Sequence, residues 1–344
     1  LLLRPCIDGV GTSTAPTAIT EDEAALYDRQ IRLWGLEAQQ RMRNATIVVV
    51  NLKGLATEVI KNVVLAGIGK LVVVDAADVS EEDLGAGFFF TESDVGSNRA
   101  LAAKPQIRDL NPLVSVECIS SNEVLEGEAF EALLETVDLV CVTDVPKDMI
   151  VRLNAACSQR GKKFYCGSTY GMRGYVFCDL GRHEYIAKDR SAPQDQPRDI
   201  KHVAEYTPFS TALQSSWKGL TKRQTKELNP AAVFSVMAVL EWQERHDNRL
   251  PDEESSAADE LELIANGLLK DREVNVQVIS QVPREQIEFM AATAAYEFSP
   301  ICAVVGGMLA QDILKTLAAK DAPMANFFTF DGDTGAGTVC RLGM

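Results

Sequence analysis

Six residues, Asn51-Leu52-Lys53-Gly54-Leu55-Ala56, stand where a nucleotide-binding turn would hold phosphate. Ahead of them Ile47-Val48-Val49-Val50 reads as a short buried strand. Behind them Thr57 to Ala66 reads as a helix, with Val59, Ile60, Val63 and Val64 on one side and Gly67 as its stop. In a Rossmann strand–turn–helix unit three glycines carry the chemistry. The first permits the tight turn, the second lets backbone approach a phosphate, and the third lets helix pack on strand. Here Asn51, Lys53 and Ala56 occupy those places, and only Gly54 remains beside them. A lysine in such a turn can meet phosphate, but the Gly-Lys-Ser/Thr spacing of a P-loop is missing, so Lys53 is expected to fill a vacated pocket. The turn predicts no bound cofactor.

Arg29 is the second residue to weigh. Thr20 and Glu23 form a capping-box signature that opens a helix, and Ala24, Tyr27, Ile31 and Trp34 make its apolar stripe. At about 100° per residue Arg29 projects from the opposite side, where an arginine is ordinarily a solvated charge. Asp75 closes a strand and is expected to cap the following loop. The eight cysteines (6, 118, 141, 157, 166, 178, 302 and 340) include no C-x-x-C pair, so no zinc or other metal site is expected. Several lie in apolar runs and read as buried free thiols.

Alternating elements must position these residues. Strands are predicted at 46–50, 70–75, 114–119, 138–142, 162–166 and 174–180, with helices at 55–66, 97–110, 127–136 and 147–160, the pattern of a doubly wound parallel sheet. Residues 1–19 read as a flexible tail, about 187–201 as a mobile loop, and about 205–290 as a helical insertion, with 229–272 helical but broken near Pro251. Ser299-Pro300 is expected to open an apolar helix, 301–315, with Ser299 as N-cap. The runs 327–332 and 337–340 suggest a closing antiparallel hairpin. The first residue is Leu1, from which a processed or trimmed chain is expected.

The formal net charge is −15, from 49 acidic and 34 Lys and Arg residues, which argues against nonspecific nucleic-acid binding and fits a basic protein partner. No uncharged apolar run reaches the roughly 18–20 residues of a membrane span, so no membrane association is expected.

Tyr27-Asp28-Arg29-Gln30-Ile31-Arg32-Leu33-Trp34-Gly35 carries a family resemblance, together with Lys53-Gly54-Leu55, Val95-Gly96-Ser97-Asn98-Arg99-Ala100, Cys302-Ala303-Val304-Val305-Gly306-Gly307 and Asn326-Phe327-Phe328-Thr329-Phe330-Asp331-Gly332. Over about residues 21–343 the chain resembles the ubiquitin-like-modifier activating enzymes, which share a fold with the bacterial MoeB and ThiF adenylating proteins. Within that family it most resembles the smaller, non-catalytic subunits of SUMO-activating heterodimers. The resemblance implies a ThiF/MoeB-type Rossmann-like sheet with a helical insertion and closing C-terminal strands. It further implies ATP-dependent adenylation of SUMO, followed by thioester formation on a partner subunit.

An active member would carry Gly-x-Gly-Gly-x-Gly, Asp-x-Asp, Asn-x-Asn-Arg-Gln and a lysine. This chain has the altered turn, Asp75 followed by Ala77, Asp83-Leu84-Gly85-Ala86-Gly87 without an arginine, and Arg99 at the lysine place. An aspartate that would ligate metal is expected near residue 145, which is Val, with Asp144 adjacent. By the resemblance, Mg-ATP belongs to an obligate catalytic partner, and Arg29 reaches its phosphates in trans as an arginine finger. SUMO and the conjugating enzyme are contacted mainly through the partner, and the compartment is the nucleus, with the cytoplasm second. Arg32 is an interface candidate whose bland use is an ion pair. Gly306 and Gly307 are expected either to pack internally or to meet the partner subunit. The alternatives are the equivalent subunit for a Rub-type modifier, an active MoeB-like homodimer, an NAD-dependent oxidoreductase and a purely structural scaffold.

Overall fold

A computed structural model describes residues 18–189, 198–252 and 255–343. The tail expected at 1–19 lies almost wholly outside them. The chain opens with α1 (Glu21–Leu26), α2 (Asp28–Trp34) and α3 (Leu36–Asn44), then alternates β1 (Thr46–Val50), α4 (Gly54–Leu65), β2 (Lys70–Val74), α5 (Arg99–Leu110), β3 (Ser115–Ile119), α6 (Gly127–Glu135), β4 (Leu139–Thr143), α7 (Lys147–Gln159) and β5 (Lys163–Tyr170). Antiparallel β6 (Arg173–Asp179) follows, then β7 (Arg182–Lys188) and β8 (Asp199–Glu205). Next come α8 (Phe209–Leu213), α9 (Lys222–Glu227), α10 (Pro230–Arg245), α11 (Ser255–Asp271), α12 (Arg284–Thr293), α13 (Ser299–Ala318), β9 (Phe327–Asp331) and β10 (Ala336–Cys340).

The main sheet runs β10-β9-β6-β5-β4-β1-β2-β3. The five strands from β3 to β5 are parallel, and β6, β9 and β10 extend the sheet in antiparallel pairing. Uninterrupted apolar runs explain the parallel centre, because strands covered on both faces need no polar alternation. All five residues of β4 are buried, as are the last four of β1 and β2. The chain winds outward from β1 through β2 to β3, then returns to β4 on the other side of β1. The crevice between the ends of β1 and β4 is therefore the switch point where α/β sheets bind ligands. Both the turn after β1 and Asp144 after β4 sit there.

Two boundaries differ from expectation. The segment 187–201 is not a loop at its ends: β7 and β8 form an antiparallel hairpin in which Lys188 faces Asp199, and the tip at 190–197 lies outside the described residues. Alternating side chains such as Tyr185, Ala187, Ile200 and His202 carry the period-2 signal that the polar tip hid. The last apolar helix is longer than 301–315. Ser299 is its first helical residue, and its side chain makes no cap hydrogen bond. At 20 residues α13 is long and apolar enough to cross a membrane, contrary to the sequence reading, but 67% of its most apolar window is buried within the protein and it carries Asp312 and Lys315. Of its two expected places Gly306 takes the internal one, buried at the crossing of α13 with α4. A Cβ there would lie 2.6 Å from Glu58 Cβ, so Gly306 is committed to internal packing, whereas Gly307 faces open space.

Candidate functional site

The turn after β1 keeps the glycine conformation without the glycine. Asn51 has φ +68°, the left-handed region that asparagine tolerates better than most residues. Its side chain crosses to the neighbouring strand, donating from Nδ2 to the carbonyls of Thr143 and Asp144, each at 2.9 Å. The Thr143 hydroxyl returns a bond to the Asn51 carbonyl at 2.9 Å. The donors that a phosphate would seek in such a turn are used internally. Leu52 N–H donates to Asp75 Oδ2 at 2.7 Å, and Gly54 N–H, at the start of α4, donates to Glu297 Oε1 at 3.0 Å. Glu297 lies in the connection between α12 and α13. Its carboxylate occupies the electropositive end of α4, the place suited to a phosphate. Gly54 retains its lack of side chain for a different purpose: a Cβ would come 2.7 Å from Ala86 Cβ and 3.2 Å from Cys302 Sγ. A carboxylate thus stands where a phosphate's charge would lie.

Asp75 caps the loop as expected, accepting from Leu52 and, through Oδ1, from Ala77 N–H at 2.8 Å. Arg99, at the first turn of α5, is buried and donates from Nε to Asp83 Oδ2 at 2.9 Å. Its second contact with Asp83 is also 2.9 Å, and Asp75 lies 3.8 Å away. Asp83 is held in turn by the Ser80 N–H and hydroxyl. The guanidinium thus ties the stretch after β2 to α5 and neutralises the acids at the crevice.

Asp144 and Glu297 are mutually repelling carboxylates. Burial and then the Glu297 charge raise the Asp144 pKa, opposed by the nearby Lys53 ammonium and the Thr169 N–H. Burial raises Glu297, opposed mainly by Lys53 and the Gly54 N–H. Asp144 Oδ2 is buried without a hydrogen-bond partner among the described residues. The half-buried Lys53 is thus the nearby counter-charge to both acids. A raised native carboxylate binds more protons than its unfolded counterpart. Its stabilisation is full at acid pH and is lost as pH rises from the ordinary values of 3.8 and 4.5 through the raised native ones. Glu297→Gln keeps the acceptor for Gly54 and removes the repulsion. We expect it to match the wild type near pH 4 and to exceed it by about 1 kcal/mol near pH 8, read from urea midpoints across that range. Equal midpoints throughout would remove the repulsion from the account.

The N-terminal helices present Arg29. The Thr20–Glu23 capping box forms, but the chain pauses at Tyr27 and divides into α1 and α2. Tyr27 is buried against Gly67, and its hydroxyl accepts from Asn111 Nδ2 at 2.8 Å. Lys320 Nζ donates to the Trp34 carbonyl at 2.8 Å. With that face anchored, Arg29 points outward, exposed, and forms no ion pair or side-chain hydrogen bond among the described residues. Leu26 and Leu33, three residues before and four after it, are 63% and 73% exposed on the same side, and Leu36 beyond them is 56% exposed. Arg32 is spent on Asp28, 2.9 Å away within its own helix.

The cysteines are as expected where described: Cys118 is partly buried, the other described thiols are buried, and Cys6 lies outside the described residues. Burial pushes Cys141, Cys157, Cys302 and Cys340 up to about 12, so none of these is a ready thiolate. No cluster of three or more potential metal ligands occurs among the described residues. Sequence reading missed Glu297, which is 243 positions from its partner Gly54 and has no local pattern to mark it. It also missed Asp83 as the acid facing Arg99, though both lay in segments it singled out.

This arrangement, a doubly wound sheet with an altered turn at its switch point, defines a protein of the ThiF type, and the chain belongs to the ThiF family, whose model matches residues 27–343. Its sequence is similar to SUMO-activating enzyme subunit 1 of Xenopus laevis, at 36% identity over 94% of this chain and 97% of the relative. The Homo sapiens and Danio rerio proteins of that name are 34% and 33% identical, each over 94% of this chain and 96% of their own. The crystal structure of selenomethionine PaaA covers 97% of this chain and 77% of its own, with a TM-score of 0.58 at 14% identity, a likeness of fold alone.

Proposed function

We propose that this chain is the smaller, non-catalytic subunit of a SUMO-activating heterodimer. It supports adenylation of SUMO at a Mg-ATP site on its catalytic partner and leaves thioester formation to that partner. The observation that carries the trans role is Arg29, an exposed guanidinium without an internal partner, flanked by exposed leucines on an anchored helix. Burying those leucines against another subunit would carry the guanidinium into that subunit's site, where a fixed cation favours departing pyrophosphate. The chain's own turn is proposed not to process ATP, because Glu297, Asp75 and the Asn51 bridge occupy its donors.

Reconstitution tests the assignment. With purified catalytic subunit, SUMO and Mg-ATP, SUMO thioester is expected to accumulate only when this chain is present, while this chain alone exchanges no pyrophosphate into ATP. Exchange by the isolated chain would favour the homodimeric adenylating alternative. Thioester formation at the same rate without the chain would overturn the subunit assignment.

A further inference from the structure

The sheet has two edges, and they are built differently. At one, β3 carries Glu117, ion-paired to Lys70 of β2 at 2.7 Å, the charged side chain that usually blunts an edge. At the other, β10 reads Ala336-Gly337-Thr338-Val339-Cys340, with no charge and no proline, and no strand pairs with its outer side among the described residues. Its side chains alternate. Cys340 and then Leu342 are buried, while Gly337, Val339 and Arg341 face outward, Val339 with 48% of its surface exposed.

Next to the end of this strand lies a cavity of about 490 Å³, with Trp217, Leu220, Leu228 and Val339 as its apolar lining and Arg341 at its wall. Glu227 of α9 borders it, and so α9 forms one side. That helix also carries Lys222 and Lys226, one turn apart, which line a neighbouring surface depression that shares Glu227 with this cavity. Neither they nor Arg341 has a carboxylate at ion-pair distance among the described residues, whereas Lys218 is matched to Glu273 and Arg223 to Glu227. A group of unmatched cations is out of keeping with a chain of net charge −15. An unpaired backbone edge, an apolar pocket beside it with Arg341 in its wall, and two further unmatched cations in the adjoining depression are three complementary requirements for one kind of ligand.

We propose that β10 is a docking edge for an extended, acidic-apolar segment of another protein. The segment adds as a further strand, places an aliphatic or aromatic side chain in the pocket lined by Trp217, and sets its carboxylates against Lys222, Lys226 and Arg341. Main-chain hydrogen bonds supply the hold, the pocket and the cations the choice of sequence. This surface lies at the far edge of the sheet from the β1–β4 crevice and does not depend on the subunit role proposed above.

The test uses the full chain and a fluorescent nine-residue peptide alternating Glu with Ile and Val. A second peptide has Lys in place of every Glu, and a third carries prolines at alternate positions. The acidic peptide is expected to bind saturably and to protect the amides of 336–340 from hydrogen exchange, while the basic and proline peptides do not bind. K222E/K226E and V339K, all at exposed positions, are each expected to weaken binding about tenfold with unchanged melting curves. The proposal is overturned by absence of binding, by equal binding of the basic peptide, by unaltered affinity in both variants, or by protection elsewhere. Displacement of the peptide by a single-stranded DNA oligonucleotide at equal concentration would also overturn it, since that outcome describes a general polyanion patch.

Discussion

Arg29→Ala is expected to leave this chain folded and assembled with its catalytic partner, and to slow SUMO adenylation by the complex about 10²–10³-fold. Two features of the structure separate the effects. The side chain is exposed and forms no internal bond among the described residues, so its removal takes nothing from the fold, and alanine is the better helix former. The anchors of α2 lie elsewhere, in Tyr27 against Gly67 and in the Lys320 bond to Trp34. The loss should therefore fall on the rate at saturating ATP. Arg29→Lys keeps the charge but not the planar fork, and should recover only part of the rate. The measurement is ATP–pyrophosphate exchange on a complex verified by size exclusion. A wild-type rate from an intact Arg29→Ala complex defeats the trans role and leaves the scaffold reading.

How far the sequence disclosed this site depends on the range of the interactions concerned. The β1–turn–α4 unit was legible because buried parallel strands are continuous apolar runs and a helix repeats every 3.6 residues, both local signals. The loss of glycines was legible too, though its physical meaning was not. Asn51 still takes the left-handed conformation of the residue it replaces, and so the turn is preserved in shape while its donors are redirected. Gly306 resolved in favour of internal packing because helix α13 meets α4 at that residue, a contact between segments about 250 positions apart that no periodicity announces. Glu297 was invisible for the same reason. An acid before an N-terminal Ser-Pro looks like ordinary helix-entry chemistry until the fold brings it to a different helix. The β7–β8 hairpin was missed because a polar tip outweighed short alternating flanks.

The largest expected effect on stability belongs to Arg99. Its guanidinium and the Asp83 carboxylate are both nearly inaccessible, 8% and 3% exposed, with Asp75 at 4% close by. Arg99→Ala leaves two buried acids facing each other without a cation, and removal of one partner from such a pair costs about 3–5 kcal/mol. Arg99→Lys restores a charge but only a point-like one. It cannot reproduce the two 2.9 Å contacts to Asp83, and should recover less than half of the loss. The double change Arg99→Met with Asp83→Asn removes both charges and should be less damaging than Arg99→Ala alone, since burying an unpaired charge is worse than losing a pair. Urea midpoints of the three variants at one pH settle the order. If Arg99→Ala shifts stability by less than about 1 kcal/mol, the triad does not hold the stretch after β2 to α5, and the crevice is kept in shape by the Asn51 bridge with the Asp75 and Glu297 bonds. If the loss appears and the double change recovers part of it, the arginine that stands where the family resemblance implies a lysine is structural. That outcome would make the altered crevice a tightly bonded part of the fold, with its charges matched among themselves rather than to a nucleotide.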